Sequence, residues 1–289
     1  MKVGVVGNPR YPDLKAVLEH VALQGPYRGI ELYTEERLEA FWPREIARFD
    51  GVELDALVTF GGDGTLLRGA RLCARHEIPI LGVNLGRVGF LTTATRGTLD
   101  AALDALVAGR YVIERRQALQ AAIKDGDGNH RVSQLAVNDV AVHKGGVARV
   151  VRVNVYIQGE NVGPYSADGI IVATPTGSTA YSLSAGGPIV VPGVEALIVT
   201  PIAAHTLAVR PLVVPATYRI VIEPMAGWAD DLLVSFDGQT GSTIAPGETV
   251  DVRRADHRVC LIRLDGDGFF SRMRQKLHWG DLSEREAIR

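Results

Sequence analysis

Hydrophobic positions in the first third of the chain fall into short apolar runs separated by helical stripes. Val3 to Gly7 reads as a strand, and Leu14, Val17, Leu18 and Val21 repeat at the three- and four-residue spacing of one helix face within Asp13 to Leu23. A strand at Gly29 to Tyr33 and the run Leu57-Val58-Thr59-Phe60 follow. A helix with Leu66, Leu67, Ala70, Cys73 and Ala74 on one side then leads to a strand at Ile78 to Val83. Strand alternating with helix implies parallel pairing, because a crossover helix returns the chain to the same end of the sheet. A last helix begins at Thr98 as N-cap, carries Leu99, Ala102, Leu103 and Leu106, and stops at Gly109.

From about Tyr111 the period changes to two. In Arg149 to Gln158 the residues Val151, Val153, Val155 and Ile157 alternate with Arg152, Asn154, Tyr156 and Gln158, the pattern of a half-buried strand. Short strands are expected again at Gln117 to Lys124, Leu135 to His143, Ile170 to Ala173, Arg219 to Glu223, Leu232 to Phe236, Thr249 to Arg253 and Cys260 to Leu264. Turn signals such as Asp125-Gly126-Asp127-Gly128-Asn129 and Ala245-Pro246-Gly247 separate them. The tail Phe269 to Leu277 returns to helix, with Phe270, Met273 and Leu277 on one face. The pattern therefore predicts two domains: an α/β domain over 1–112 with a Rossmann-like parallel sheet, completed by a C-terminal helix over 269–289, and an all-β domain over 113–268.

Composition narrows the function classes. The 289 residues are 46% apolar and 22% charged with a net charge of −2, which suits a soluble globular protein and gives no electrostatic case for nucleic acid. The longest apolar stretch, Ile189 to Val209, is broken by Pro192, Gly193, Glu195, Pro201 and His205, so no membrane span is expected. Met1-Lys2-Val3-Gly4-Val5-Val6 reads as a first strand without the apolar core of a signal peptide, and a cytoplasmic protein is expected. Cys73 and Cys260 lie in apolar segments and are expected to be buried free thiols. The seven histidines lack metal-ligand spacing, and Trp42, Trp228 and Trp279 are expected to pack.

Four motifs carry candidate chemistry. The first is Gly61-Gly62-Asp63-Gly64-Thr65, between the strand ending at Phe60 and a helix-like segment beginning Leu66-Leu67. Its glycines let backbone N–H groups approach a phosphate chain, and the following helix turns its positive end toward the same spot. Asp63 repels phosphate, so its presence there fits metal liganding or taking a proton from an attacking hydroxyl. The second runs from Gly82 through Asn84, Gly86 and Gly89 to Phe90-Leu91; its Gly-x-x-x-Gly-x-x-Gly spacing is not the dinucleotide fingerprint, and it is either a ligand loop or a close-packed turn. The third is Asn138-Asp139, two polar residues in an apolar strand pattern, suited to an adenine edge and ribose hydroxyls or else to a strand end in solvent. The fourth, Ser166 to Pro188, offers hydroxyls and free N–H groups in Thr176-Gly177-Ser178-Thr179 for phosphate or ribose oxygens, with Tyr181 as a stacking face.

In order and spacing these motifs, with Asp168-Gly169 and Thr174 to Pro188, resemble the NAD kinase family, and the tail Phe269-Phe270 to Lys276-Leu277-His278-Trp279 resembles that family's ending. The first motif is shared with lipid kinases and phosphofructokinases; the Thr174 to Pro188 block singles out NAD kinases. The resemblance implies an NAD kinase two-domain architecture in which 113–268 binds NAD. It implies transfer of the ATP γ-phosphoryl group to the 2′-hydroxyl of the adenosine ribose of NAD, with Mg²⁺ required, and leaves open whether inorganic polyphosphate replaces ATP. It makes Asp63 the residue that orients or deprotonates the hydroxyl, and brings Gly62, Gly64 and Thr65 to the triphosphate. Phe90 and Leu91 become part of the NAD wall, Asn138 and Tyr181 the adenine contacts, and Asp139 and Asp168 the contacts to ribose and the nicotinamide half. Thr179, Ala180 and Ser184 line the site beside Asp63 and Gly64, Tyr165-Ser166-Ala167 bear on the choice between NAD and NADH, and Asp237-Gly238-Gln239 is a hairpin turn with a weaker link to the acceptor pocket. Direct metal ligands are not assigned. A homodimer or homotetramer is implied. Two competing readings are a lipid kinase using the same Gly-Gly-Asp-Gly element, which the Thr174 to Pro188 block opposes, and a silent dinucleotide sensor, which gains nothing from a carboxylate beside phosphates.

Overall fold

A computed structural model describes residues 1–73, 76–86, 89–145, 150–206, 208–225, 232–264 and 268–280 of the chain. Ala74 of the second helical stripe, Arg149 at the head of the alternating strand, Trp228, and 281–289 of the expected C-terminal helix lie outside the described residues. The chain divides into two units, Met1–Arg115 together with the chain from Cys260 onward, and Arg116–Val259.

The first unit is built on a parallel sheet. β1 (Lys2–Gly7), β2 (Glu31–Thr34), β3 (Ala56–Phe60) and β4 (Ile80–Asn84) lie in the order β2-β1-β3-β4, and short β5 (Ala94–Thr95) also pairs with β4. β6 (Val112–Arg116) closes the order beyond the last strand of the chain, Val259–Arg263. β3 and β4 are buried at every position, as strands covered on both faces must be. Helix α1 (Leu14–Tyr27) buries Leu14, Val17, Leu18 and Val21, α2 (Asp63–Cys73) buries Leu66, Leu67 and Ala70, and α3 (Leu99–Val107) buries Leu99, Ala102, Leu103 and Leu106. The stripes of α1 and α3 meet Val3, Val5, Val58 and Leu81 in the unit's core. Trp42 packs there and donates its indole N–H to Thr34 Oγ1 (2.8 Å), whereas Trp279 is 58% exposed, against the packing role expected of it. Both cysteines are free and buried, and burial pushes the Cys73 thiol up to about 11.

The second unit is antiparallel throughout. Its strands are β7 (Leu119–Lys124), β8 (His130–Ala136), β9 (Asp139–Lys144), β10 (Val151–Ile157), β11 (Glu160–Asn161), β12 (Tyr165–Ala167), β13 (Gly169–Ala173), β14 (Ala196–Ile202), β15 (Leu212–Pro215), β16 (Ile220–Pro224), β17 (Leu232–Phe236), β18 (Thr240–Thr243) and β19 (Thr249–Arg254). One sheet runs β11-β10-β16-β19-β7-β8, with β12 also on β10, and the other runs β15-β14-β13-β9-β17-β18. The alternation read in β10 is realised: Val151, Val153, Val155 and Ile157 are buried and join Ile170, Val172, Ile222, Val234 and Val252 in one core between the sheets.

Two expectations are corrected. The segment Cys260 to Leu264, assigned by pattern to the β-rich domain, is β20 (Val259–Arg263) of the parallel sheet, with Leu261 opposite Ile80. All five of its residues are buried, the signature of a central parallel strand, but a short apolar run carries no mark of which sheet it joins. The unit boundaries accordingly fall at 115/116 and 259/260 rather than 112/113 and 268/269. Leu135 to His143, read as one strand, is two: β8 pairs with β7 in one sheet, β9 with β13 and β17 in the other, and Val137-Asn138 make the crossing.

Candidate active site

In the first unit the candidate site begins where β3 ends. Gly61 N–H donates to Val83 O (3.0 Å), and helix α2 starts at Asp63, three residues earlier than the apolar stripe suggested. Gly62 O accepts the Thr65 N–H at 2.9 Å, so Asp63, Gly64 and Thr65 form the first turn, where a carboxylate is favoured by the helix dipole. A Cβ on Gly61 would lie 2.2 Å from Thr65 Oγ1, which is why this position is glycine. The Asp63 carboxylate is not open to solvent chemistry on all sides. Its Oδ2 accepts the Phe90 N–H (2.7 Å), and its Oδ1 accepts those of Leu91 (3.0 Å) and Thr92 (3.2 Å).

That contact explains the glycine loop. A Cβ on Gly89 would sit 1.9 Å from Asp63 Oδ1, one on Gly86 would meet the Tyr11 ring at 3.0 Å, and one on Gly82 would meet Leu66 at 2.7 Å. Asn84 Oδ1 accepts the Gly86 N–H (2.6 Å) and Asn84 Nδ2 reaches Thr92 Oγ1 (3.3 Å), knitting the loop to its own ends. The loop is close-packed, and what it packs on is Asp63. Arg87 and Val88 lie outside the described residues. Sequence reasoning missed a second group here. Glu35, 7% exposed, accepts the Gly7 N–H (2.9 Å) and a bidentate pairing from Arg68 of α2, whose Nη2 also donates to Gly7 O (2.7 Å). Arg68 stands five residues after Asp63, and no periodicity or spacing distinguishes it from a solvated helix arginine.

In the second unit the site is built around the Val137-Asn138 crossing. Asp237 Oδ1 accepts the N–H groups of Val137 (2.9 Å), Asn138 (2.7 Å) and Asp139 (3.3 Å), so the residue read as a hairpin turn with a weaker link to the acceptor pocket fixes the backbone of the Asn138-Asp139 pair. Asp139 is almost fully buried. Burial first, and the neighbouring Asp237 carboxylate second, push it up to about 7, while the Tyr181 N–H bonded to it pulls the other way.

The Thr174 to Pro188 block, which includes the short helix α4 (Tyr181–Ser184), divides in two. Thr174, Thr176, Ser178 and Ser182 are buried and use their hydroxyls within the fold: Thr174 Oγ1 donates to Val137 O (2.6 Å), Ser178 Oγ to Pro175 O (2.7 Å), Ser182 Oγ meets Thr200 Oγ1 (2.9 Å), and Thr176 Oγ1 accepts from Arg116 (3.3 Å). The reading of these hydroxyls as phosphate ligands is therefore corrected for Thr176 and Ser178. Thr179 and Ala180 are half-buried, and Tyr181 and Ser184 are exposed. Gly177 holds the block against the crossing, since its Cβ would fall 2.0 Å from Asn138 O.

Asn138, Asp139 and Tyr181 are thus brought together, whereas Asp168 is not beside them. On the β9–β13 ladder Asp139 faces Ala173 and His143 faces Gly169, and Asp168 lies one residue beyond, which separates it from Asp139 by roughly 17 Å of strand. Asp168 pairs instead with Lys144 (Nζ to Oδ1 2.9 Å), a partner the sequence did not suggest. Among the described residues no three His, Cys, Asp or Glu side chains are grouped to hold a metal ion, and no helix is long and apolar enough to cross a membrane.

Comparison with known proteins agrees across the whole chain. The family model described as the ATP-NAD kinase N-terminal domain matches residues 11–111, and that of the ATP-NAD kinase C-terminal domain matches 137–264. The chain is 48% identical over 287 residues to the NAD kinase of Gemmatimonas aurantiaca, covering 99% of both. It is 39% identical to the NAD kinase of Syntrophotalea carbinolica, covering 97% of this chain and 99% of that one. Among solved structures it is similar to yeast NADH kinase complexed with NADH (TM-score 0.84, 27% identity, 97% of this chain and 88% of that one). It is also similar to an NAD kinase from Archaeoglobus fulgidus in complex with ATP (TM-score 0.73, 27% identity, 96% and 99%).

Proposed function

The chain belongs to the NAD kinase family, which makes it an enzyme of ATP-dependent phosphorylation of NAD to NADP, and on that premise we propose how its residues divide the work. Asp63 receives the proton of the 2′-hydroxyl of the adenosine ribose. As the hydroxyl oxygen forms its bond to the γ-phosphorus, the bond from that phosphorus to the β,γ-bridging oxygen breaks and ADP leaves, so the proton on Asp63 balances the charge of the new ester. The observation that supports this role is the bonding of the carboxylate. Three amides occupy three of about four acceptor positions and hold the group in a fixed attitude, leaving the last, on Oδ2, for a hydroxyl.

Gly62, Gly64 and Thr65 bring the first turn of α2 to the ATP phosphates, where N–H groups and the helix dipole favour negative charge. Mg²⁺ would arrive on those phosphates, held mainly by phosphate and water oxygens, and would neutralise charge on the transferred group. Since the described residues group no three metal-ligating side chains, no step is assigned to a protein-held ion. Polyphosphate offers the same end group and is the alternative donor.

In the second unit Asn138 and Tyr181 take the adenine, Asp139 a ribose and Asp168 the nicotinamide half. The roughly 17 Å of strand between the two aspartates suits a ligand with two ends. Asp63, Gly64, Phe90 and Leu91 are the first unit's contributions to NAD binding, and Thr179, Ala180 and Ser184 line the second unit's part. A cytoplasmic homodimer or homotetramer completes the reading, checked by sedimentation velocity and cell fractionation. The test of the chemistry is NADP formation from Mg²⁺-ATP and NAD, with NAD affinity measured alongside. Asp63→Asn should abolish the first and keep the second, and an active Asp63→Asn enzyme would remove Asp63 from the reaction.

A further inference from the structure

The Phe90–Thr92 loop is held from both sides. Its N–H groups go to Asp63, and its carbonyls go to two arginines far along the chain: Arg272 Nη1 of helix α5 (Phe269–Leu277) donates to Phe90 O, and Arg263 Nη1 of β20 donates to Leu91 O at 2.7 Å. Both arginines are 5% exposed, unusual for this residue type, and Arg263 also pairs with Glu114 (2.8 Å). The peptide units line up with the charges. The 90–91 peptide points its N–H at Asp63 and its C=O at Arg272; the 91–92 peptide points its N–H at Asp63 and its C=O at Arg263. Each unit is a dipole of about 3.5 D held between a carboxylate and a guanidinium.

We propose that Arg272 and Arg263 are positioning residues for phosphoryl transfer, which fix the attitude of the Asp63 carboxylate through two intervening peptide dipoles. This rests on the reading of Asp63 as the proton acceptor. It gives α5 a part in the reaction from a distance of 182 residues in sequence. A purely structural role, pinning α5 to its unit, would need only the hydrogen bonds. The charge–dipole arrangement needs the positive charge as well, and that difference is testable.

The experiment compares Arg272→Lys, Arg272→Gln and, as a control on the same helix, exposed Arg274→Gln in the full chain. It reads kcat, the KM values for NAD and ATP, and hydrogen exchange at the amides of Phe90, Leu91 and Thr92. Arg272→Gln keeps a donor but loses the charge. It should lower kcat about tenfold and speed exchange at Leu91 by a similar factor, with KM for ATP within about twofold, since bonds to charged groups are the stronger class. Arg272→Lys keeps charge and donor and should stay within about threefold of the parent in both readouts. Arg274→Gln should match the parent. Unchanged exchange at 90–92 in Arg272→Gln, unchanged kcat despite faster exchange, or equal losses in the Lys and Gln variants would each overturn the proposal. Asp63→Asn assayed in parallel separates the two failures: an active Asp63→Asn enzyme defeats the reading of Asp63, whatever the arginine variants do.

Discussion

Replacing Gly89 with alanine tests the loop geometry without altering any chemical group. The new Cβ would fall 1.9 Å from Asp63 Oδ1, 2.2 Å from its Cγ and 2.3 Å from Oδ2, against the 3.0 Å below which real Cβ contacts essentially never go. Carboxylate or loop must therefore retreat by about 1 Å. A retreat of that size takes bonds of 2.7, 3.0 and 3.2 Å beyond or to the edge of useful hydrogen-bond distance. Bonds of this charged class contribute about 1.5–3 kcal/mol each, so losing two costs roughly 3–6 kcal/mol of local order before water replaces them. In the reaction, a catalytic group misplaced by about 1 Å costs on the order of 10²-fold. Gly89→Ala should lower kcat for NADP formation by about two orders of magnitude while circular dichroism shows an intact fold. A kcat within about threefold of the parent would show that the amides do not hold Asp63 where it acts.

Three further predictions concern the second unit. Asp139 is raised by burial from 3.8 to about 7, so the folded state binds its proton more tightly than the unfolded state, and stability should fall as pH rises from about 4 to about 7. The full loss is on the order of 4 kcal/mol; Asp139→Asn should flatten this slope in urea titrations, and a slope retained in the variant would contradict the assignment. Asp237→Ala unhooks the amides of residues 137–139 and should raise KM for NAD about tenfold with a smaller change in KM for ATP; equal changes in both would mean general damage rather than a lost acceptor site. Tyr181→Ala should raise KM for NAD more than it lowers kcat, because a stacking face contributes to ground and transition states alike, and an unchanged KM would leave Tyr181 no part in binding.

Periodicity made much of the fold legible. The helical stripes of α1 and α3 and the alternation of β10 appear where the apolar positions placed them, because each element buries one face of regular spacing. What periodicity could not carry was which sheet a strand joins. β20 and the β8–β9 break were misassigned for the same reason: pairing is decided by distant partners, Ile80 for Leu261 and Asp237 for the Val137-Asn138 crossing. The site motifs were visible as clusters of glycine, hydroxyl and carboxylate, but their internal division was not. Ser178 looks like a ligand in sequence and is buried in use, while Ser184 in the same block is exposed. Glu35, Arg68, Lys144, Asp237 and the two arginines on the Phe90–Thr92 loop act by long-range contact, and a charged residue gives no local sign of a partner tens of residues away.

In the proposed reaction Asp63, held by the Phe90, Leu91 and Thr92 amides, takes the proton of the NAD 2′-hydroxyl. The most direct test of this role is NADP formation by Asp63→Asn with Mg²⁺-ATP, alongside calorimetric NAD binding to the same protein. Turnover should fall by at least about 10³-fold with NAD affinity within about threefold of the parent, as expected when a group acting on the transition state is removed. Turnover within about tenfold of the parent would contradict it.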